Sequence, residues 1–437
     1  MKIKKNPDVK SIITLAPDSH GASSGEKMRR VLRMVLVLPL MGGVLSCRTA
    51  ERHWFVVNED NDHFFKCDAS LMTEKALADY IDYIARGKVT HLFMCVAGQR
   101  TSYDSKTWEP IWAGLDEPAR EDTAMCADGT RDRWAVNCKL LQEKGIDPYA
   151  VWIRRCREKG VSPWLSLRMN DIHYVEITNY FRNTTFYRTR TDLRIDPSGR
   201  RGGAYRSLDY AHKEVRDYTM AQVREIAERW DADGLELDWM RFGHVFHPDC
   251  ARANAPVLDA FVREASGIVR SAGERRGRKA GLAVRVPPDP DLALSNGYDV
   301  VKWAREGWVD VVIADSFYFA DASMPVDKWL KLLNGTKARF VPSLGSDMPE
   351  KTPVGYVEGC RGLARRFYDQ GATGVYVFNL PYRSNVTYST DGGGSDENDM
   401  AARLYEEGLG PDDIAGRPFS QPPVVHDYPL ISSSRAR

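Results

Sequence analysis

The chain has 437 residues, 43% apolar and 28% charged, and its 61 Lys and Arg stand against 60 Asp and Glu for a formal net charge of +1. A protein that neutralises many nucleic-acid phosphates carries a basic excess, and a disordered chain lacks the 11 Trp, 19 Tyr and 15 Phe present here, so both classes are excluded. The length accommodates one enzyme-sized α/β barrel with long loops.

Residues 1–27 are polar, without apolar periodicity, and are read as lying upstream of a start at Met28. Met28 to Arg33 is basic and Met34 to Leu45 apolar, the n-region and h-region of a secretory signal. Such a run is too short to span a bilayer. Arginines before it and Gly42-Gly43 after it argue against a buried helix. Val44-Leu45-Ser46-Cys47 has the form of a bacterial lipobox, with Leu45 unusual for its place, so lipid attachment at Cys47 is expected and plain secretion is the alternative. The eight cysteines form no CxxC pair and no Cys/His cluster of zinc spacing; no metal and no organic cofactor are expected. Residues 1–53 are thus leader and linker, 54–410 the folded body, and 411–437, with Pro422-Pro423, an extended tail.

From residue 54 short aliphatic runs alternate with amphipathic stretches, the pattern of a parallel sheet with crossover helices. Strands are predicted at 54–60, 89–97, 162–170, 234–241, 280–287, 309–317, 338–344 and 374–380. Helices are predicted at 74–86, 212–229, 256–275, 299–306 and 355–369, and glycines at 87, 160, 277, 307 and 371 fit helix C-termini. Eight units predict a single (β/α)8 barrel of the α/β class rather than an open doubly wound sheet, since no glycine-rich fingerprint follows the first strand. Two excursions, 98–132 and 171–209, and a third stretch at 383–398 follow strand C-termini, the face where such barrels build their sites.

Alternation along each strand gives the inward face. In Gly234 to Arg241, Leu235, Leu237 and Trp239 face the helices and Glu236, Asp238 and Met240 face in; likewise Ser166, Arg168 and Asn170 on the third strand and Arg285 on the fifth. Arg241, of outward parity, can curl over the rim. Arg285 has two readings, a structural partner of Glu236 or Asp238 or a substrate contact. Arg168 begins Arg168-Met169-Asn170-Asp171-Ile172-His173, which brings an amide, a carboxylate and an imidazole to one strand exit. Planar guanidinium groups bind carboxylates bidentately, so Arg168 and Arg241 form a candidate anion clamp for an acidic sugar. Asp60 leaves the first strand with Asp62 behind it, and His173 titrates near neutrality; these are the candidate acid and base groups.

The segment 233–242, DGLELDWMRF, resembles the fourth-strand signature of chitinase-type barrels but has Met240 where that family needs its acid glutamate. It is also similar to retaining α-galactosidase-type barrels, in which Asp238 and Asp315 would be nucleophile and acid. The closest resemblance is to the inverting exo-sialidases of glycoside hydrolase family 156, over residues 54 to about 385. It is carried by Asp60, by Arg168 and His173 five residues apart, by Arg241 on the fourth strand and by Asn379 at the eighth. The resemblance implies removal of sialic acid from an acidic glycan with inversion, without a cofactor. In that reading Arg168 and Arg241 hold the sugar carboxylate, Asp60 and His173 share the proton work, and Asn170, Asp171, Arg285 and Asn379 complete the substrate contacts. Trp108, Trp112 and Tyr318 would stack on sugar faces. The expected location is secreted, periplasmic or cell-surface as a bacterial lipoprotein. Two alternatives are a retaining glycosidase of a neutral or sulfated glycan using Asp238, and a non-catalytic glycan-binding lipoprotein.

Overall fold

A computed structural model describes residues 53–60, 62–115, 130–177, 180–317, 319–345, 347–350, 352–380, 399–421 and 424. The expectations for the leader, Cys47, Tyr318 and 383–398 lie outside them. The described residues belong to one compact unit, Arg52–Arg437.

Eight strands form the unit: β1 Trp54–Glu59, β2 His91–Ala97, β3 Ser162–Arg168, β4 Gly234–Asp238, β5 Gly281–Val286, β6 Val311–Ala314, β7 Arg339–Pro342 and β8 Gly374–Phe378. From β1 to β7 each strand pairs in parallel with the next, and β1 also pairs in parallel with β8. A bridge between Ser343 and Tyr376 joins β7 to β8, and the sheet closes into the (β/α)8 barrel. Helices lie between the strands, among them Glu74–Ile84, Lys213–Arg229, Ala255–Arg275 and Pro353–Asp369. The first starts where Thr73 accepts from Ala76 N at 3.2 Å, a side-chain cap for an otherwise unpaired donor. Two further helices, Thr130–Glu143 and Pro148–Glu158, fill the β2–β3 connection, the second followed by Gly160 in the left-handed region.

The alternation sorts two cores. Leu235, Leu237 and Trp239 join the large outer core under the helices. Val56, Phe93, Trp164, Ala283, Val311, Ile313, Val341, Tyr376 and Phe378 form the apolar part of the barrel interior. Trp164 and Phe93 stack at 5.0 Å near the strand N-termini. A Cβ on Gly234 or Gly281 would come within 2.2 or 2.7 Å of the Trp164 ring, so only glycine admits the indole there. Above this plug the interior turns polar: Ser166 and Tyr376 both donate to Glu236, the latter at 3.0 Å.

Several strands end sooner than the hydrophobic runs predict. β4 stops at Asp238, whose Oδ1 accepts from Met240 N at 3.0 Å and turns the chain out of the sheet. β6 stops at Ala314, and Phe317 has φ 69°. The released ends form the rim. The tail begins as a short helix, Pro411–Ile414, and then lies against the helix Pro353–Asp369, with Ser420 N donating to Glu358 O and Arg361 to Pro418 O. Among the described residues no helix is long and apolar enough to cross a membrane.

Candidate active site

The rim above β1, β3 and β4 holds a continuous ionic cluster. Arg168 donates from one arm to Asp60 and from the other to Asp171 at 2.9 Å. Asp171 also accepts from His173 N at 2.9 Å, meets His173 Nδ1 at 2.7 Å and lies 3.7 Å from Arg182 Nη2. Arg241 curls in from the end of β4, with Nη2 3.6 Å from Asp60 Oδ2 and 3.4 Å from His173 Nε2. Asp60, Arg168, Asp171, His173 and Arg241 are thus brought together, and Arg182 joins them. No motif in the sequence marks Arg182, which reaches the cluster across the Trp134 ring at 5.0 Å. A Cβ on Gly98 would lie 2.9 Å from Asp171 Oδ2, so the absence of a side chain there lets the β2 exit approach this carboxylate.

The charge states follow from burial and neighbours. Burial would raise the Asp171 carboxyl, but His173, Arg182 and Arg168 outweigh it and hold it well below the usual range. An ionised carboxylate only accepts, so Nδ1 of His173 carries the proton it shares with Asp171, and Nε2 presents its lone pair. Burial, with Arg241 and Arg182 adding to it, lowers His173 to about 4 against the opposing pull of Asp171. The ring is therefore a neutral base at physiological pH. Burial and the neighbouring Arg168 lower Arg241 to about 10, still charged at neutral pH. Arg241 Nε is buried with no hydrogen-bond partner among the described residues, and the guanidinium lies 5.4 Å from the Phe317 ring and 5.2 Å from Phe378. Asn379, at φ 54° beyond β8, has a buried Oδ1 that is also unpartnered among the described residues.

Other expected contacts are committed to the scaffold. Arg285 has no accessible surface: Nη1 donates to both Asp238 oxygens at 2.9 Å, Nε to Asp315 at 3.0 Å and Nη2 to Phe317 O at 3.0 Å. It therefore meets Asp238, Asp315 and a backbone carbonyl rather than a substrate. Asp238, itself buried, faces this guanidinium together with Asp315. Asn170 spends its amide on Leu208 O, Leu208 N and His244 O, and fixes the end of the β3 loop. Trp108 stacks at 4.9 Å on Tyr218, which stacks at 4.0 Å on Phe186, and its Nε1 donates to Tyr218 O. This ring ties the two excursions to the helix Lys213–Arg229 instead of lying free for a sugar, and Trp112 packs partly buried against the outer core.

Below the rim Glu236 is fully buried; burial and then the Asp238 charge raise its carboxyl well above the usual range. On the outward side of β1 lies a second cluster, in which Glu59 meets His63 Nδ1 at 3.2 Å and accepts from Tyr80. Burial would lower His63, but Glu59, Asp62 and Asp60 outweigh it and raise the ring to about 9. Asp60, Asp62 and His63 are spaced closely enough to share a cation. Arg168 on Asp60, Lys66 on Asp62 at 2.5 Å and the protonated His63 already supply that positive charge.

No family model matches this chain, and no curated protein is similar to it. Solved barrels are. A GH138 enzyme targeting pectin rhamnogalacturonan II matches with 9% identity and TM-score 0.44 over 82% of this chain and 39% of that chain. α-L-Fucosidase isoenzyme 2 from Paenibacillus thiaminolyticus matches with 12% identity and TM-score 0.45 over 82% of this chain and 49% of that one. A β-galactosidase from Marinomonas ef1 matches with 13% identity and TM-score 0.44 over 81% and 59%. The chain thus spans less than two thirds of the length of each of these proteins.

Proposed function

We propose that this protein is a glycoside hydrolase that releases a terminal acidic sugar, most consistently sialic acid, from a glycan with inversion of the anomeric centre. The observation that carries this reading is the rim cluster of Arg168, Arg241, Asp60, Asp171 and His173, which joins a desolvated cationic group to a neutral imidazole with its basic nitrogen turned toward it.

The chemistry runs as follows. Arg241 has an Nε unpartnered among the described residues and a face framed by two aromatic rings, so it meets the sugar carboxylate first. Arg168 keeps Asp171 and shares its other arm between Asp60 and the incoming anion. Drawing both arginines toward the substrate leaves Asp60 with less positive charge around it and beside an anion, which favours its uptake of a proton from solvent, and the protonated carboxyl then gives that proton to the leaving oxygen. His173, oriented through Nδ1 by Asp171, takes a proton from water at Nε2, the arrangement by which a carboxylate fixes the tautomer of a catalytic imidazole. Asp60 Oδ2 and His173 Nε2 each lie within 3.6 Å of one Arg241 nitrogen. Their separation is therefore at most the short end of the roughly 6.5–9.5 Å that leaves room for one water in inverting sites. Asn379 Oδ1, unpartnered among the described residues, is the acceptor assigned to a sugar N–H or hydroxyl.

The retaining alternative needs Asp238 as a nucleophile, and its bidentate contact with Arg285 at 2.9 Å disfavours that role. The test is release of free sugar from sialylated, uronic and sulfated glycans, repeated with Asp60→Asn and His173→Ala. Within the same reading, export and lipid attachment at Cys47 are tested by Cys47→Ala, which should yield a soluble secreted form.

A further inference from the structure

Four described residues other than glycine have a left-handed backbone: Tyr174 at φ 56°, Phe242 at 76°, Phe317 at 69° and Asn379 at 54°. All four follow strand C-termini on the face that carries His173 and Arg241. Asparagine tolerates this region, whereas a bulky aromatic residue there is an outlier that persists only when its surroundings over-determine it. Phe242 is the most exposed to explanation. It follows Arg241 directly, and its N–H closes a three-residue turn onto Met240 O at 2.9 Å. The next turn repeats the pattern, with His244 N on Phe242 O at 2.5 Å. This double turn throws the Phe242 ring edge-on to His173 at 4.8 Å and against Phe317 at 5.9 Å. Glycine would adopt the same backbone without strain, so the side chain itself is what the site retains.

We propose that Phe242 is the positioning residue of this site, its ring held over His173 to shield the imidazole from water while the same turn delivers Arg241 to the slot between Phe317 and Phe378. The inference rests on the reading of His173 as the base, and it names what sets that base. The groups facing His173 are Asp171 from its own segment, Arg182 from the following loop, and Arg241 from β4, which in turn contacts Asp60. Both arginines and burial disfavour the imidazolium and Asp171 favours it. Of these, burial is the largest, and the Phe242 ring is a wall of that burial. Removing the wall admits water and moves His173 back toward its ordinary value near 6.5.

The experiment is titration of the His173 imidazole by NMR in the ¹⁵N-histidine-labelled full chain, with His173→Gln identifying the resonance. Phe242→Ala should raise the titration midpoint by about one unit or more, a tenfold or larger gain in proton affinity. Phe242→Leu, which keeps the bulk, should leave it near that of the wild type. The pH below which kcat/KM falls should move with the midpoint in both variants. If Phe242→Ala does not fold, Phe242→Gly removes the ring and relieves the backbone, and should give the same rise. An unchanged midpoint in Ala or Gly, or an equal rise in Leu, overturns the proposal. Turnover retained by His173→Ala would remove the base reading instead, while the midpoints still decide the shielding.

Discussion

Arg241 Nη2 lies 3.4 Å from His173 Nε2, so the cation assigned to the substrate touches the nitrogen assigned to the proton. Binding and base strength are therefore linked: an anion that draws Arg241 away also removes a positive charge from the imidazole and makes it a stronger base.

Replacing Arg241 by Lys keeps the charge and loses the planar fork. We expect kcat/KM to fall about 30- to 150-fold, corresponding to about 2–3 kcal/mol for a charged hydrogen bond, mainly through KM. Arg168→Lys should behave differently because both arms already hold Asp60 and Asp171. It should lower stability as well as activity, by about 3 kcal/mol or more, since two buried carboxylates lose a partner. Steady-state kinetics and urea unfolding of the two variants separate these outcomes; equal stability would contradict the division.

Asp171→Asn keeps the shape of the β3 loop but removes the charge that favours the imidazolium. His173 then becomes a weaker base, and kcat should fall about 100-fold or more. Because the substrate carboxylate does not touch Asp171 in this account, KM should change much less. A large rise in KM with kcat preserved would place Asp171 on the substrate.

Asp238→Asn distinguishes scaffold from nucleophile. Arg285, without accessible surface, would lose its bidentate partner, and a buried ion pair broken on one side costs about 3–5 kcal/mol. We expect a lowered urea midpoint together with lost activity. A variant as stable as the wild type but inactive would favour the retaining mechanism.

Two half-buried histidines give stability opposite pH slopes. His173, lowered from 6.5 to about 4 in the folded protein, contributes stability that is complete above pH 6.5 and is lost as pH falls toward 4, because the unfolded chain binds the extra proton. His63, raised to about 9, contributes stability that is complete below pH 6.5 and is lost as pH rises through 9. Each effect is on the order of 3 kcal/mol. Unfolding followed from pH 4 to 9 should show His173→Gln flattening the acid side and His63→Gln the alkaline side; the reverse pattern would refute both assignments.

Much of the barrel was legible because burial imposes a period of two. Leu235, Leu237 and Trp239 could only satisfy the helix side, which forced Glu236 and Asp238 inward whatever their roles. The five-residue spacing of Arg168 and His173 was equally visible, since one loop carries both. What escaped was the sharing of partners across the chain. Arg168 is claimed by Asp60, 108 residues away, and Asp171, and no local pattern reveals that both arms are taken. Trp108 looks like a free loop aromatic in sequence, but its stack is assembled with Tyr218 and Phe186 from two other segments. Arg182 reaches Asp171 from a loop without motif or period. The left-handed positions at Phe242 and Phe317 are aromatic residues rather than glycines, so the hydrophobic runs read as strand to the rim.

The most direct test of the central claim is proton NMR of a hydrolysis reaction on an α-linked sialoside, recorded before the released sugar mutarotates. The account predicts free sialic acid appearing first as the β-anomer, and its loss in both Asp60→Asn and His173→Ala. First appearance of the α-anomer, or full turnover in those two variants with Asp238→Asn inactive, would contradict it.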